Sequence, residues 1–163
     1  MAIKAKMLGR GAVMRKLNQL VPEAEKQLAE AQLEAAKELA GDIAARAPVE
    51  TGEYKASIEG ARLADRPASN AVVGGSATKD KNATGVFAAW YWRFVEFGTS
   101  PHKIKAKPGK MLHLHGNVFA SEVDHPGARA QPHIFPTFRA ARPRIRRKMA
   151  NAVNKATRKV MGK

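Results

Sequence analysis

The chain has 163 residues, 44% of them apolar, no cysteine, and a formal net charge of +15. That length suits one domain, residues 1–163, with a sizeable core. The lack of cysteine excludes disulfides, thiol chemistry and cysteine-based zinc sites. No apolar run approaches the ~20 residues that cross a bilayer, and the opening Met1-Ala2-Ile3-Lys4-Ala5-Lys6 lacks the apolar centre of a signal peptide. A protein made in a cytoplasm, or assembled into a particle there, is expected, with no membrane partner.

The charge is uneven. Residues 1–20 hold five bases and no acid, residues 21–65 ten acids and five bases, and residues 125–163 eleven bases and no acid. Such a basic tail suits nucleic acid, an anionic surface or an acidic protein, and charge alone does not choose among them.

In residues 1–21, Gly9 and Gly11 bracket the entry to a short helix carrying Val13, Leu17 and Leu20. Pro22 then fits the first turn of a longer helix, where its missing N–H costs nothing, and Glu23 and Glu25 favour that end of the helix dipole. Residues 22–47 are rich in Ala, Leu, Glu and Lys, strong helix formers. Ala24, Leu28, Ala31, Ala35, Leu39 and Ile43 make one face; Leu33, Ala36 and Ala40 make a weaker second. Small alanines on both faces let neighbours approach closely.

Pro48 stops this helix, Thr51-Gly52 is a turn, and residues 57–63 read as a strand. A polar link containing Pro67 leads to a short strand, Ala71-Val72-Val73, which runs into Gly74-Gly75. Residues 78–85 are a polar loop. Two periods compete in the aromatic stretch 87–102. Phe87, Trp90, Tyr91, Phe94 and Gly98 follow helical spacing, whereas Trp90, Trp92 and Phe94 alternate as in a strand. Gly98 as a helix C-terminus favours a short helix. Trp90, Phe94 and Phe97 are then expected in the core. Glu96 needs a partner inside this apolar run, and Arg93, three residues back, is the nearest.

Residues 101–110 form a basic loop with Lys103, Lys105, Lys107 and Lys110. Residues 111–115 and 118–123 make a hairpin about Gly116-Asn117, with Leu112 and Leu114 on one side and His113 and His115 on the other. The last helix, residues 134–161, has a stripe through Phe138, Ala141, Ile145, Met149, Ala152, Val153, Ala156 and Val160. Its phase is kept across Pro143, which predicts a kink or a restart there. The fold class is therefore α+β: a long N-terminal helix, a small mostly antiparallel sheet with a protruding hairpin over residues 53–124, and a basic C-terminal helix.

His113, His115 and His125, with Asp124, are the only cluster suggestive of chemistry. Alternate histidines on a hairpin more often make a solvated face, and no phosphate loop, dinucleotide fingerprint or nucleophile elbow is present. No catalysis, cofactor or required metal is expected.

Tyr91-Trp92-Arg93-Phe94-Val95-Glu96-Phe97-Gly98-Thr99-Ser100-Pro101-His102 resembles the YxxFVEFGTxxH signature of neck and tail-completion proteins of long-tailed bacteriophages, the gene-product-ten-like group of HK-type, lambda-like phages. Two flanking segments agree. Ala47-Pro48-Val49-Glu50-Thr51-Gly52 with Ser57-Ile58 resembles APVDTGxLxxSI, and Gln131-Pro132-His133-Ile134-Phe135-Pro136 with Phe138-Arg139-Ala140-Ala141 resembles QPFLRPA. His133-Ile134 in place of Phe-Leu and Pro143 are departures. The resemblance implies a non-enzymatic virion protein at the head–tail junction, a ring that is usually sixfold. Its partners would be head-completion or portal-side proteins and tail-tube or tail-terminator proteins. Arg93, Glu96, Thr99, Ser100, Pro101 and His102 become candidates for contacts with partners or copies; Lys103, Lys105, Lys107 and Lys110 become candidates for docking a neighbouring ring or touching DNA in the channel. The rival readings are a basic nucleic-acid-binding protein and, on the histidines alone, a metal hydrolase.

Overall fold

A computed structural model describes residues 10–65, 70–74 and 78–162. Gly9, the link around Pro67 and Gly75 lie outside the described residues. The first helix, α1 (Arg10–Ala44), is one element of 35 residues, about 52 Å long. The break expected before Pro22 does not occur. The proline costs the Asn18 carbonyl its donor, but both residues lie on the exposed side, where water can satisfy that oxygen. Glu23 is thus mid-helix rather than in a first turn, and it pairs with another helix.

That helix is α4 (Ile134–Met161), which is continuous across Pro143. It runs antiparallel to α1, as the order of their ion pairs requires: Arg144 with Asp42 at 2.6 Å, Lys148 with Glu38 at 2.5 Å and Glu34 at 3.0 Å, Lys159 with Glu23 at 2.9 Å. Between these charges the contact is made of buried alanines, among them Ala31, Ala35, Ala141, Ala152 and Ala156, which let the backbones close together. Hydrogen bonding to Glu38 and Glu34 raises the pKa of Lys148, and Lys159 lowers that of Glu23. The clamp is therefore intact through neutral pH. Lys148 releases it only as pH rises through its raised pKa, and Glu23 only as pH falls through its lowered one.

Against α1 packs a three-stranded antiparallel sheet, ordered β1–β3–β2, from β1 (Glu59–Arg62), β2 (Asn70–Val72) and β3 (Thr84–Ala89). A one-turn helix, α2 (Glu53–Ala56), precedes it, and a 3-10 turn (Leu63–Asp65) follows β1. The strand read over residues 57–63 is therefore shorter at both ends, because Ser57 caps α2 and donates to the Tyr54 carbonyl at 2.7 Å. Phe87, in the central strand, is fully buried between Glu59 on β1 and Val72 on β2. On the other face of β3, Val86 and Ala88 belong to the core that Leu39, Ile43, Tyr54, Ile58, Trp92 and Ile134 complete.

The helix expected from Phe87 begins only at Trp92, and Phe87, with Thr84 and Gly85 expected in a loop, lies on a strand instead. β3 ends at Ala89, Trp90-Tyr91 turn the chain, and α3 (Trp92–Phe97) follows. After it comes an arm. β4 (His102–Lys105) pairs with β7 (Glu122–His125), and farther out β5 (Leu112–Leu114) pairs with β6 (Val118–Ala120). Neither ribbon joins the main sheet. The expected hairpin is thus longer than its sequence suggested, and Lys103 and Lys105, expected in a loop, sit on a strand. Gly116 and Asn117 both take positive φ, 74° and 61°, at its tip.

Gly60 sets the spacing of sheet and helix. A methyl group there would overlap the Ala36 carbonyl of α1. Gly60→Ala should lower stability by about 1–3 kcal/mol, read as a lower urea midpoint with an unchanged slope. An unshifted midpoint would mean that the helix yields without cost.

Candidate functional site

The expected partner of Glu96 is not Arg93. Arg93 lies over the Trp92 ring, 5.3 Å from its centroid. Glu96 is only 1% exposed, and its carboxylate accepts the backbone N–H groups of His133 at 2.8 Å, Ile134 at 2.9 Å and Phe135 at 3.0 Å. These are the first donors of α4, which have no partner inside the helix. A carboxylate there also meets the positive end of the helix dipole. No side chain at the start of α4 does this job; a residue 37 positions earlier does. Glu96 thus acts inside the fold, not at a partner surface.

His133 is held on every side. Its Nδ1 donates to the Gln131 carbonyl at 2.7 Å, and its Nε2 is 2.9 Å from the Tyr54 hydroxyl, which can donate to it. Burial, helped by the Glu96 charge, pushes the Tyr54 phenol above its ordinary pKa. Thr137 donates to the His133 carbonyl at 2.6 Å and accepts from Arg46 at 3.2 Å. The three sequence motifs therefore meet at one buried knot: Tyr54 beside the first, Glu96 in the second, His133 in the third.

Next to the knot the arm is rooted. Thr99 and Ala128 exchange backbone bonds of 2.9 and 3.1 Å, and the Thr99 hydroxyl accepts the Ala128 N–H as well, at 2.9 Å. Gly98 (φ 72°) and Gly127 (φ 85°) flank the exchange, and a Cβ on either would strike the opposite backbone. Ser100, Pro101 and His102 are exposed beyond it. Lys103 pairs with Glu122 at 3.1 Å and Asp124 at 3.6 Å, and Lys105 with Glu122 at 3.4 Å. Lys107 and Lys110 form a turn and have no ion pair among the described residues. His102 stacks on His125, and His113 packs on Phe119, each at 5.0 Å between ring centres. Among the described residues no three metal-ligating side chains come together.

The expectation that Trp90, Phe94 and Phe97 are buried is overturned: they are 71%, 52% and 62% exposed. α3 has one and a half turns, and its inward stripe is Trp92 and Glu96, leaving Phe94 and Phe97 outward. Trp90 meets Phe94 edge-on, and Phe97 stacks on Phe135 at 5.8 Å. Phe135 in turn lines an apolar cleft of about 390 Å³ between α1, β3 and α4. Val13, Leu17 and Val21 on the outer end of α1, and Val118 and Phe119 on the arm, are also exposed. Exposed aromatics in such number mark contact surfaces. Sequence reading missed them because a short helix buries one line of side chains, and spacing alone does not say which.

A family model described as "Bacteriophage HK97-gp10, putative tail-component" matches residues 11–98. No curated protein and no solved structure gives a significant match. The match spans more than half of the chain, and the chain belongs to this family of phage structural tail components. It covers α1, the sheet and α3, and stops where the arm begins. Among the described residues no helix is long and apolar enough to cross a membrane.

Glu96→Ala should cost roughly 3 kcal/mol or more, because it strands buried donors, whereas Phe94→Ala should change stability by at most about 0.5 kcal/mol, as exposed sites do. Thermal unfolding followed by circular dichroism reads both. Equal melting of the two variants would contradict the assignment of Glu96 as the cap.

Proposed function

We propose that the chain, as a member of that family, is a structural protein of the virion at the head–tail junction. It is a neck or tail-completion component, assembled in the host bacterial cytoplasm, that joins head-completion or portal-side proteins to tail-tube or tail-terminator proteins. It forms a homo-oligomeric ring, six copies being the number its resemblance implies, and it carries out no catalysis.

The observation that carries this reading is the exposed apolar surface on separate parts of one small body. The outer end of α1, the aromatics of α3 and the tip of the arm cannot all meet one partner patch. Several distinct surfaces suit a head-to-tail ring, in which one surface binds a different one on the next copy and the circle closes. Trp and Phe are also the side chains that anchor interfaces. Arg93, Thr99, Ser100, Pro101 and His102 lie along this region and join the contact; Glu96 only supports it from inside. On the arm, Lys107 and Lys110 are the lysines available to dock an acidic neighbour, since Lys103 and Lys105 are paired across the strands.

Cryo-electron imaging of virions carrying a tagged copy tests the placement. Density for the tag at the neck or tail is expected; virions without any copy there would end the proposal. The triple variant Trp90→Ala/Phe94→Ala/Phe97→Ala should fold and yet leave free heads and free tails in infected cells. Normal joining in that variant would remove the aromatic surface from the contact.

A further inference from the structure

The nine bases of α4 divide into two sets by what they face. Arg144, Lys148 and Lys159 point at α1 and are consumed by Asp42, Glu38, Glu34 and Glu23. Arg139, Arg142, Arg146, Arg147, Lys155 and Arg158 are exposed and have no ion pair among the described residues. The chain's acids do not balance this second set, because most of them lie before residue 66, and Asp42, Glu38, Glu34 and Glu23 on α1 are already taken by the inner bases.

From this division we infer that the outer face of α4 is a binding surface for the phosphate backbone of DNA, read without regard to sequence. Arg139, Arg142 and Arg146 follow one another at three and four residues, so they form a line along the helix. From Arg139 to Arg158 the face is about 28 Å long, which matches roughly eight base-pair rises of 3.4 Å. Five of the six side chains are arginine, whose planar fork holds phosphate oxygens in pairs. Ala140, Ala150, Asn151 and Asn154 lie between them and are exposed. Small side chains let a backbone come near, and amides bond to phosphate or sugar oxygens.

An acidic protein is the other class of partner for such a face. The aromatic anchors that protein contacts use are mostly elsewhere, at Trp90, Phe94, Phe97 and Phe119, and Phe138 on α4 itself lines the cleft toward α1 and β3. A contact made of charge alone suits a uniformly charged rod better than a folded protein surface. This inference does not rest on the junction reading, because it concerns purified protein and naked DNA.

Its test compares two variants that each lose four charges: Arg139→Gln/Arg142→Gln/Arg146→Gln/Arg147→Gln on α4, and Lys103→Gln/Lys105→Gln/Lys107→Gln/Lys110→Gln on the arm. Binding to short labelled duplexes of two unrelated sequences is followed by fluorescence anisotropy over a range of salt. The wild type should bind both sequences alike. The helix variant should lose at least about tenfold in affinity, and its log–log salt slope should fall by about 3 to 4. The arm variant should lose less than about threefold. Equal losses would reduce the effect to overall charge and overturn the site, as would tighter wild-type binding to polyglutamate than to DNA. Should the helix variant unfold, Arg139→Gln/Arg146→Gln against Lys107→Gln/Lys110→Gln makes the same comparison, two charges for two.

Discussion

A carboxylate buried in an apolar setting is tolerable only when it is fully bonded, and the Glu96 side chain meets that condition by using the start of α4. Its three short bonds fix where α4 begins relative to α3. Since α3 follows β3 after a two-residue turn, they also fix α4 relative to the sheet. Gln131 adds a fourth tie, its N–H donating to the Val95 carbonyl at 2.9 Å. From that point α4 has one path, back along α1, where the alanines and the crossed ion pairs hold it. The knot is therefore the joint between a local element, α3, and the longest-range packing in the molecule.

The same joint separates two kinds of surface. By taking Glu96 and Trp92 inward, α3 must turn Phe94 and Phe97 outward. By laying its alanine face on α1, α4 must turn six bases outward. Neither exposure is a failure of packing; each is the complement of a buried stripe. A body this small has few faces, so one side becomes aromatic and another cationic, and each suits a different partner.

Much of this was legible in the chain. The last helix follows from its stripe, and β1, β2 and the outer hairpin from their short apolar runs, whereas the central strand β3 reads as loop and helix and β4 as loop. What was not legible depended on long-range partners. Pro22 reads locally as a helix start, yet packing farther along α1 and an exposed Asn18 carbonyl let the helix run through it. Glu96 reads as the partner of Arg93 because spacing sees only neighbours, while its true partners lie beyond the arm. Lys103 and Lys105 read as loop residues because their strand is three residues from a turn and its mate is on the far side of the hairpin. The signature residues matter for more than surface. Glu96, Gly98 and Thr99 form the internal frame, and the residues beside them face out.

The arm follows different rules from the body. A two-stranded ribbon alone in water is marginal, and exposed cross-strand ion pairs such as those of Lys103 and Lys105 add little. What holds its base is backbone geometry. Thr99 and Ala128 are bonded in both directions, and Gly98 and Gly127 permit the close passage that a side chain would block. The body thus fixes the direction in which the arm leaves, next to the knot. Toward the tip that control fades, and Leu112, Leu114, Val118 and Ala120 share one face that no element of the main sheet covers. Apolar side chains on so thin a ribbon gain most of their burial from whatever they meet outside the chain. A root set by the fold and a tip completed by contact is the construction expected of a segment that reaches to a neighbour.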